Sequence, residues 1–183
     1  MKVSIITPSY NQGNYIEQTI RSVVVDQDYD NIEYIVIDGG STDQTVEIIK
    51  KYEDKIAYWI SEPDKGQTNA INKGYEKATG DIITWLCSDD YYEPNIIGEI
   101  VKKFQNNTNV NLVCGNRRTF GHGIQDTIYK GIKLKETVEE SICYGQFDQP
   151  PSFFRKEAYD KLFPLTKELK YRMDCELFLR YEL

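Results

Sequence analysis

At 183 residues the chain has room for one well-buried domain and is short for two. Apolar residues at 40% and charged residues at 28%, with Gly, Pro and Ser scattered rather than clustered, exclude a disordered or fibrous class. The 29 acidic side chains outnumber the 22 basic ones; the net charge of -7 argues against non-specific nucleic-acid binding, and a phosphate in any ligand then calls for a metal.

A first strand is expected over Val3 to Thr7, stopped by Pro8, with Ser9 to Asn14 as a turn. Ile16, Ile20, Val23 and Val24 recur at helical spacing, with Glu17 at the positive end of that helix. A second strand, Glu33 to Ile37, delivers Asp38 and Gly39-Gly40. Ser41-Thr42-Asp43-Gln44 has the form of a capping box and should start a helix through Val46, Ile49 and Tyr52. Ile56 to Ile60 reads as the third strand, Glu62 to Gly66 as a loop, and Ala70, Ile71, Gly74, Tyr75 and Ala78 as one face of a third helix. The beta-branched residues after Gly80 suit a strand covered on both faces, and it runs into Trp85-Leu86-Cys87-Ser88-Asp89-Asp90. Pro94 suits a first helical turn ahead of the stripe Ile96, Ile97, Ile100, Val101 and Phe104, which Asn106 to Asn109 breaks. Val110 to Cys114 and Arg117 to Phe120 read as strands, and the pattern weakens from Gly121 to Gly145. Gln149 to Ser152 forms a rigid turn, Glu157 to Leu162 a short helix and Met173 to Tyr181 a last helix. That helix lacks a C-cap, so the expectation is a truncated or partial reading frame.

Strand and helix alternate up to Phe104, which predicts one α/β domain with a mostly parallel sheet and helices on both faces. Ligands bind beyond the carboxyl ends of such strands, where Pro8 to Asn11, Asp38-Gly39 and Ser88 to Asp90 should converge on one cleft. Adjacent carboxylates repel, so a cation or strong donors should hold Asp89 and Asp90. Plainer readings stand beside these: Ser88-Asp89-Asp90 as a helix N-cap, Asp38 as a turn residue, Asp64-Lys65 as a solvated pair, Cys87 and Trp85 as packing, and Glu176 as solvated. Lys130, Lys133 and Lys135, like Lys167, Lys170 and Arg172, read most simply as exposed charge, although either cluster suits a lipid phosphate. No GxGxxG or P-loop is present, which disfavours a dinucleotide oxidoreductase. The four cysteines, Cys87, Cys114, Cys143 and Cys175, form no CxxC pair and His122 is the sole histidine; free core thiols in a reducing cytoplasm fit better than zinc. No signal peptide and no membrane-spanning apolar run are visible.

Four stretches, Thr7-Pro8-Ser9-Tyr10-Asn11, Val36 to Asp43, Ser61 to Gly66 and Trp85 to Asp90, together resemble the family-two inverting glycosyltransferases of the GT-A, Rossmann-like fold. The clear match covers Met1 to about Phe104, and Gln149 to Arg180 is similar to the acceptor-side segment more loosely. The resemblance implies one domain, 1–183, with a nucleotide-sugar-binding half, 1–104, and an acceptor-side half, 105–183. It implies that Thr7, Pro8 and Tyr10 line the base and ribose pocket, that Asp38 accepts from a uracil ring, and that Asp64 and Lys65 border the nucleotide. Ser88-Asp89-Asp90 matches the DXD-like motif, with Asp89 near the ribose and the ion and Asp90 binding Mg²⁺ or Mn²⁺ on the donor diphosphate. Asp174 falls where the family places its catalytic base, though Met173 stands where many relatives have an acid, and Cys114-Gly115-Asn116 lacks the acid that often follows the glycine.

The chemistry that the resemblance implies is an in-line displacement at the anomeric carbon of a nucleotide-activated sugar, UDP-linked in type, onto a hydroxyl of a saccharide or lipid-linked saccharide. The family suggests cell-surface polysaccharide or glycolipid synthesis at the cytoplasmic side of a membrane, with hexosyl or N-acetylhexosaminyl transfer. Competing readings are a nucleotide-sugar binder without turnover and a nucleotidyltransferase, which should show a basic loop after the first strand; Pro8 to Asn14 has no basic residue.

Overall fold

The structure, a computed structural model, describes residues 1–121, 123–130, 149–166 and 173–182. His122, Cys143, Lys133, Lys135, Lys167, Lys170 and Arg172 lie outside the described residues. Four parallel strands, β1 (Val3–Ser9), β2 (Ile32–Asp38), β3 (Tyr58–Ser61) and β4 (Ile82–Trp85), alternate with helices α1 (Ile16–Val24), α2 (Thr45–Lys51) and α3 (Gln67–Tyr75). After α4 (Ile96–Asn106) come β5 (Leu112–Cys114), the two-stranded pair β6 (Arg117–Thr119) and β7 (Thr127–Tyr129), and β8 (Ser152–Arg155). Helices α5 (Lys156–Tyr159) and α6 (Met173–Glu182) follow. The main sheet runs β3-β2-β1-β4-β8-β5, with β8 antiparallel to both neighbours. Strands β7 and β8 were not expected: Phe153 to Arg155 is too short to show a period, and it becomes a strand by pairing with β4 and β5, which are distant in sequence.

Because side chains alternate across a strand, each central strand feeds two cores. Val3 and Ile5 of β1 with Tyr34 and Val36 of β2 face Ile20 of α1, Ile49 of α2 and Phe104 of α4. Ile6, Ile35 and Ile37 face Ala70 and Ile71 of α3, Tyr159 of α5 and Phe178 of α6. At the crossing of α3 on β1, a Cβ on Gly74 would intrude on Ile6 Cγ2, so the helix packs this close only with glycine there.

Several expected boundaries shift for identifiable reasons. Pro8 does not stop β1, which stays paired with β2 through Pro8↔Ile37 and Ser9↔Asp38. Its pairing with β4 ends at Ile6↔Trp85, so the proline nitrogen, on that side, leaves no ladder bond unmade. The expected Ser41–Gln44 capping box does not form. Asp43 instead accepts from the Thr45 N–H (3.0 Å) and hydroxyl (2.5 Å), while Ser41 is drawn to Asp38. Pro94 precedes α4 rather than sitting in its first turn, separated from it by Asn95 in the left-handed region (φ 63°). Among the described residues no helix is long and apolar enough to cross a membrane.

Candidate functional site

The order β3-β2-β1-β4 reverses direction at β1, so the loops leaving β1 and β4 part there and open a crevice at the carboxyl ends of the strands. The loops after β1 and β2 are laced together around Asp38. Its carboxylate is fully buried and accepts from the Gly40 N–H (3.1 Å), the Ser41 N–H (2.9 Å), the Ser41 hydroxyl (2.5 Å) and the Ser61 hydroxyl (2.6 Å). Ser41 in turn accepts from the Asn11 N–H (2.7 Å), and Asn11 Oδ1 accepts from the Thr42 N–H (2.9 Å). Asn11 is left-handed (φ 52°), a conformation Asn tolerates and this reciprocal pair holds.

The acidic turn is held as firmly. The Asp90 N–H closes on the Cys87 carbonyl at 3.0 Å, and the Thr19 hydroxyl of α1 donates to the carbonyls of Ser88 (3.0 Å) and Asp90 (2.7 Å). Gln149 Nε2 donates to the Trp85 carbonyl at 2.6 Å, at the end of β4. Within this turn the Cys87 sulfur and one oxygen each from Asp89 and Asp90 all lie within 4.8 Å of one another. Burial pushes the Cys87 thiol up to about 12, and the charges of Asp90, Asp89 and Asp174 push the same way.

These loops enclose a cleft of about 710 Å³. Pro8, Ser9, Tyr10 and Gln12 form one wall, Gly39, Pro63 and Asp64 a second, Gly66, Gln67 and Ala70 the α3 side, and Cys87, Ser88 and Asp89 the last. Asp90 faces a neighbouring cavity of about 320 Å³, which it shares with Asp89, Tyr91, Asn116 and Phe120. Of the residues singled out from sequence, Pro8, Tyr10, Asp64, Ser88 and Asp89 therefore line the cleft. Thr7 is fully buried beneath it, its hydroxyl accepting from Tyr34 at 3.0 Å. Lys65 is exposed at the rim. Cys87 is a correction to the packing role expected of it: Trp85 and Leu86 are each 1% exposed, but Cys87 is half-buried in the cleft wall. Among the described residues none of the cysteines is the core thiol expected of it, Cys114 being half-buried and Cys175 exposed.

The model of the family "Glycosyl transferase family 2" matches residues 4–163. The chain belongs to this family. An uncharacterised glycosyltransferase of Nostoc sp. is 31% identical over 188 residues, covering 94% of this chain and 56% of that protein. Glycosyltransferase GlyA of Streptococcus pneumoniae is 28% identical, covering 93% and 26%. S. aureus TarS 1-349, solved with UDP-GlcNAc, matches 100% of this chain and 53% of its own with a TM-score of 0.79 at 23% identity. Mannosyltransferase PcManGT from Pyrobaculum calidifontis, solved with GDP-Man and Mn²⁺, matches 96% and 51% with a TM-score of 0.67 at 17% identity. These structural likenesses show the fold, which is GT-A. The chain spans about half the length of the first curated relatives it matches.

In this family 2 chain Asp174 is the second residue of α6, half-exposed, with its Oδ1 accepting from the Cys175 N–H at 2.8 Å. Met173, the departure noted in the sequence, is buried and its sulfur accepts from the Thr68 hydroxyl at 2.8 Å. That contact docks the start of α6 on the first turn of α3, beside the cleft residue Gln67, and puts Asp174 within electrostatic reach of Cys87. Glu176, expected to be solvated, instead pairs with Arg180 at 2.6 Å one turn on. Sequence reasoning missed Thr19, Gln67, Gln149 and the serines that hold Asp38. Thr19 alone left a signal, a hydroxyl on the apolar stripe beside Ile20.

Proposed function

We propose that this chain is the catalytic part of an inverting glycosyltransferase, moving a hexosyl or N-acetylhexosaminyl group from a UDP-sugar to a hydroxyl of a cell-surface saccharide or lipid-linked saccharide. The observation that carries the reading is the cleft at the switch point of the sheet with Ser88-Asp89-Asp90 at its edge. It is supported by the donors named in the TarS and PcManGT complexes. Pro8 and Tyr10, the latter 60% exposed, offer an apolar edge and a ring to a nucleobase, with Asp64 and Lys65 at the nucleotide's border. Thr7 supports that wall from beneath. Asp38 is fully buried and accepts four hydrogen bonds, three on Oδ2 and one on Oδ1, so it acts through the Gly39-Gly40 loop, and a uracil N–H that reached it would find its free acceptor capacity on Oδ1.

Asp89 and Asp90 suit a hard divalent cation, since they bring two carboxylates to one turn within 4.8 Å of each other. Mg²⁺ or Mn²⁺ held there would stabilise charge on the departing diphosphate. Asp174, in the first turn of α6 and within electrostatic reach of Cys87, takes the proton of the attacking acceptor hydroxyl. Such an enzyme would work at the cytoplasmic face of the membrane, peripherally, where lipid-linked acceptors are presented.

The test is Asp174→Asn. UDP affinity with Mn²⁺, measured by calorimetry, stays at the wild-type value while donor turnover falls about 10²–10⁴-fold. An Asn variant as active as wild type removes Asp174 from the mechanism. A second reading is a nucleotide-sugar-binding unit without turnover. That reading predicts UDP binding with no metal-dependent donor hydrolysis in the wild-type chain.

A further inference from the structure

Two carboxylates alone suit hard ions, but the third group at this turn is a thiol. The Cys87 sulfur and an oxygen from each of Asp89 and Asp90 lie within 4.8 Å of one another. Bonds of about 2.0–2.3 Å hold the ligand atoms of one ion no more than about 4.6 Å apart, so the three side chains draw together when an ion binds. The sulfur is disposed as a donor toward the cleft rather than as packing. It lines the cleft wall while its strand neighbours are buried, and it accepts the Gln67 Nε2–H at 3.1 Å, so a lone pair is already directed at a polar partner in the cleft. The Asp90 N–H to Cys87 carbonyl bond, at 3.0 Å, keeps all three groups on one closed turn, and Thr19 braces it from α1.

We propose that Cys87 is a third, soft ligand to the cation held by Asp89 and Asp90, and that it shifts the site's preference from Mg²⁺ toward thiophilic divalent ions. The inference rests on the metal role proposed above for the carboxylates. On binding, a sulfur–metal bond forms, the thiol proton passes to solvent and no electrons are exchanged. Thiolate sulfur favours softer ions, whereas carboxylate oxygens accept Mg²⁺ equally well without it, so position 87 sets selectivity rather than binding as such.

Cd²⁺ is the probe, because a thiolate bound to it gives an ultraviolet charge-transfer band that carboxylates do not. The 183-residue chain is titrated with Cd²⁺ by absorbance and with Mg²⁺ by calorimetry, alongside Cys87→Ser, Cys175→Ser and Asp90→Ala. The wild-type and Cys175→Ser chains show the band. Cys87→Ser loses it together with about 10–100-fold in Cd²⁺ affinity, and its retained Mg²⁺ affinity shows that the turn is intact. Cd²⁺ binding through Asp90 without the band, or a band that survives in Cys87→Ser, overturns the role of Cys87 alone. Unchanged affinity for both ions in Asp90→Ala overturns the carboxylate reading and this inference with it.

Discussion

Two buried carboxylates mark the opposite ends of β2: Asp38 is held by the loop that follows it and by Ser61, Glu33 by partners distant in sequence. Asp38 organises the cleft end. Glu33 organises the other, bonded to Lys2 Nζ (2.5 Å), the Ser4 hydroxyl (2.6 Å) and the Thr79 N–H (2.7 Å) and hydroxyl (2.7 Å). Burial alone would raise its pKa, but these hydrogen bonds outweigh burial and hold the carboxyl down to about 2, from an ordinary 4.5. A carboxylate depressed on folding contributes stability that is complete above its unfolded value and is lost as pH falls toward the folded one. Stability should therefore drop between about pH 4.5 and pH 2 by on the order of 2–3 kcal/mol from this group. In urea titrations across that range Glu33→Gln should show a flatter acid limb and lower stability at neutral pH. An acid limb as steep as that of wild type would remove Glu33 as its source.

At the scale of elements, the acidic turn depends on α1 rather than on β4, which ends at Trp85. Thr19, 1% exposed, is the link, one hydroxyl serving two carbonyls of the turn. Thr19→Val keeps the shape and leaves those buried acceptors short of a donor, at a cost of about 1–3 kcal/mol. Urea unfolding should report that loss, and calorimetry should report weaker UDP binding with Mn²⁺ because the turn is no longer braced. Wild-type UDP affinity in a destabilised Thr19→Val would confine the residue to folding. The turn itself was legible as a string of letters. Its brace showed only as a hydroxyl on an apolar stripe, which marks Thr19 as buried without saying what it will face.

For the whole molecule, the cleft is walled by loops from β1, β2, β3 and β4, so a ligand that fills it ties together the half of the sheet that must be assembled to bind. Ligand at one hundred times its Kd adds about 2.7 kcal/mol, which for a chain of this size raises Tm by roughly 5–11 °C. UDP with Mn²⁺ should produce such a shift in a thermal melt, and chelator should remove the metal-dependent part. No shift at saturating UDP and Mn²⁺ would count against the cleft as a nucleotide site. The match of family 2 to residues 4–163 extends well past the half most legible in sequence, into β5 and β8.

The sequence by itself determined the alternation of strand and helix, the three loops that converge and the acids they carry, because hydrophobic period and turn chemistry are local properties. It also determined the family resemblance, since the motifs lie on those loops. Only the tertiary structure decided which atoms are available there. It placed Thr7 beneath the wall, spent the Asp38 carboxylate on serines, turned Cys87 from packing to the cleft, made a strand of Ser152–Arg155 and seated Asp174 through a buried Met173. Apart from the bond of Ser41 to Asp38, each of these depends on partners tens of residues away, and pairing across such distances follows from the packing of the whole sheet rather than from any local pattern.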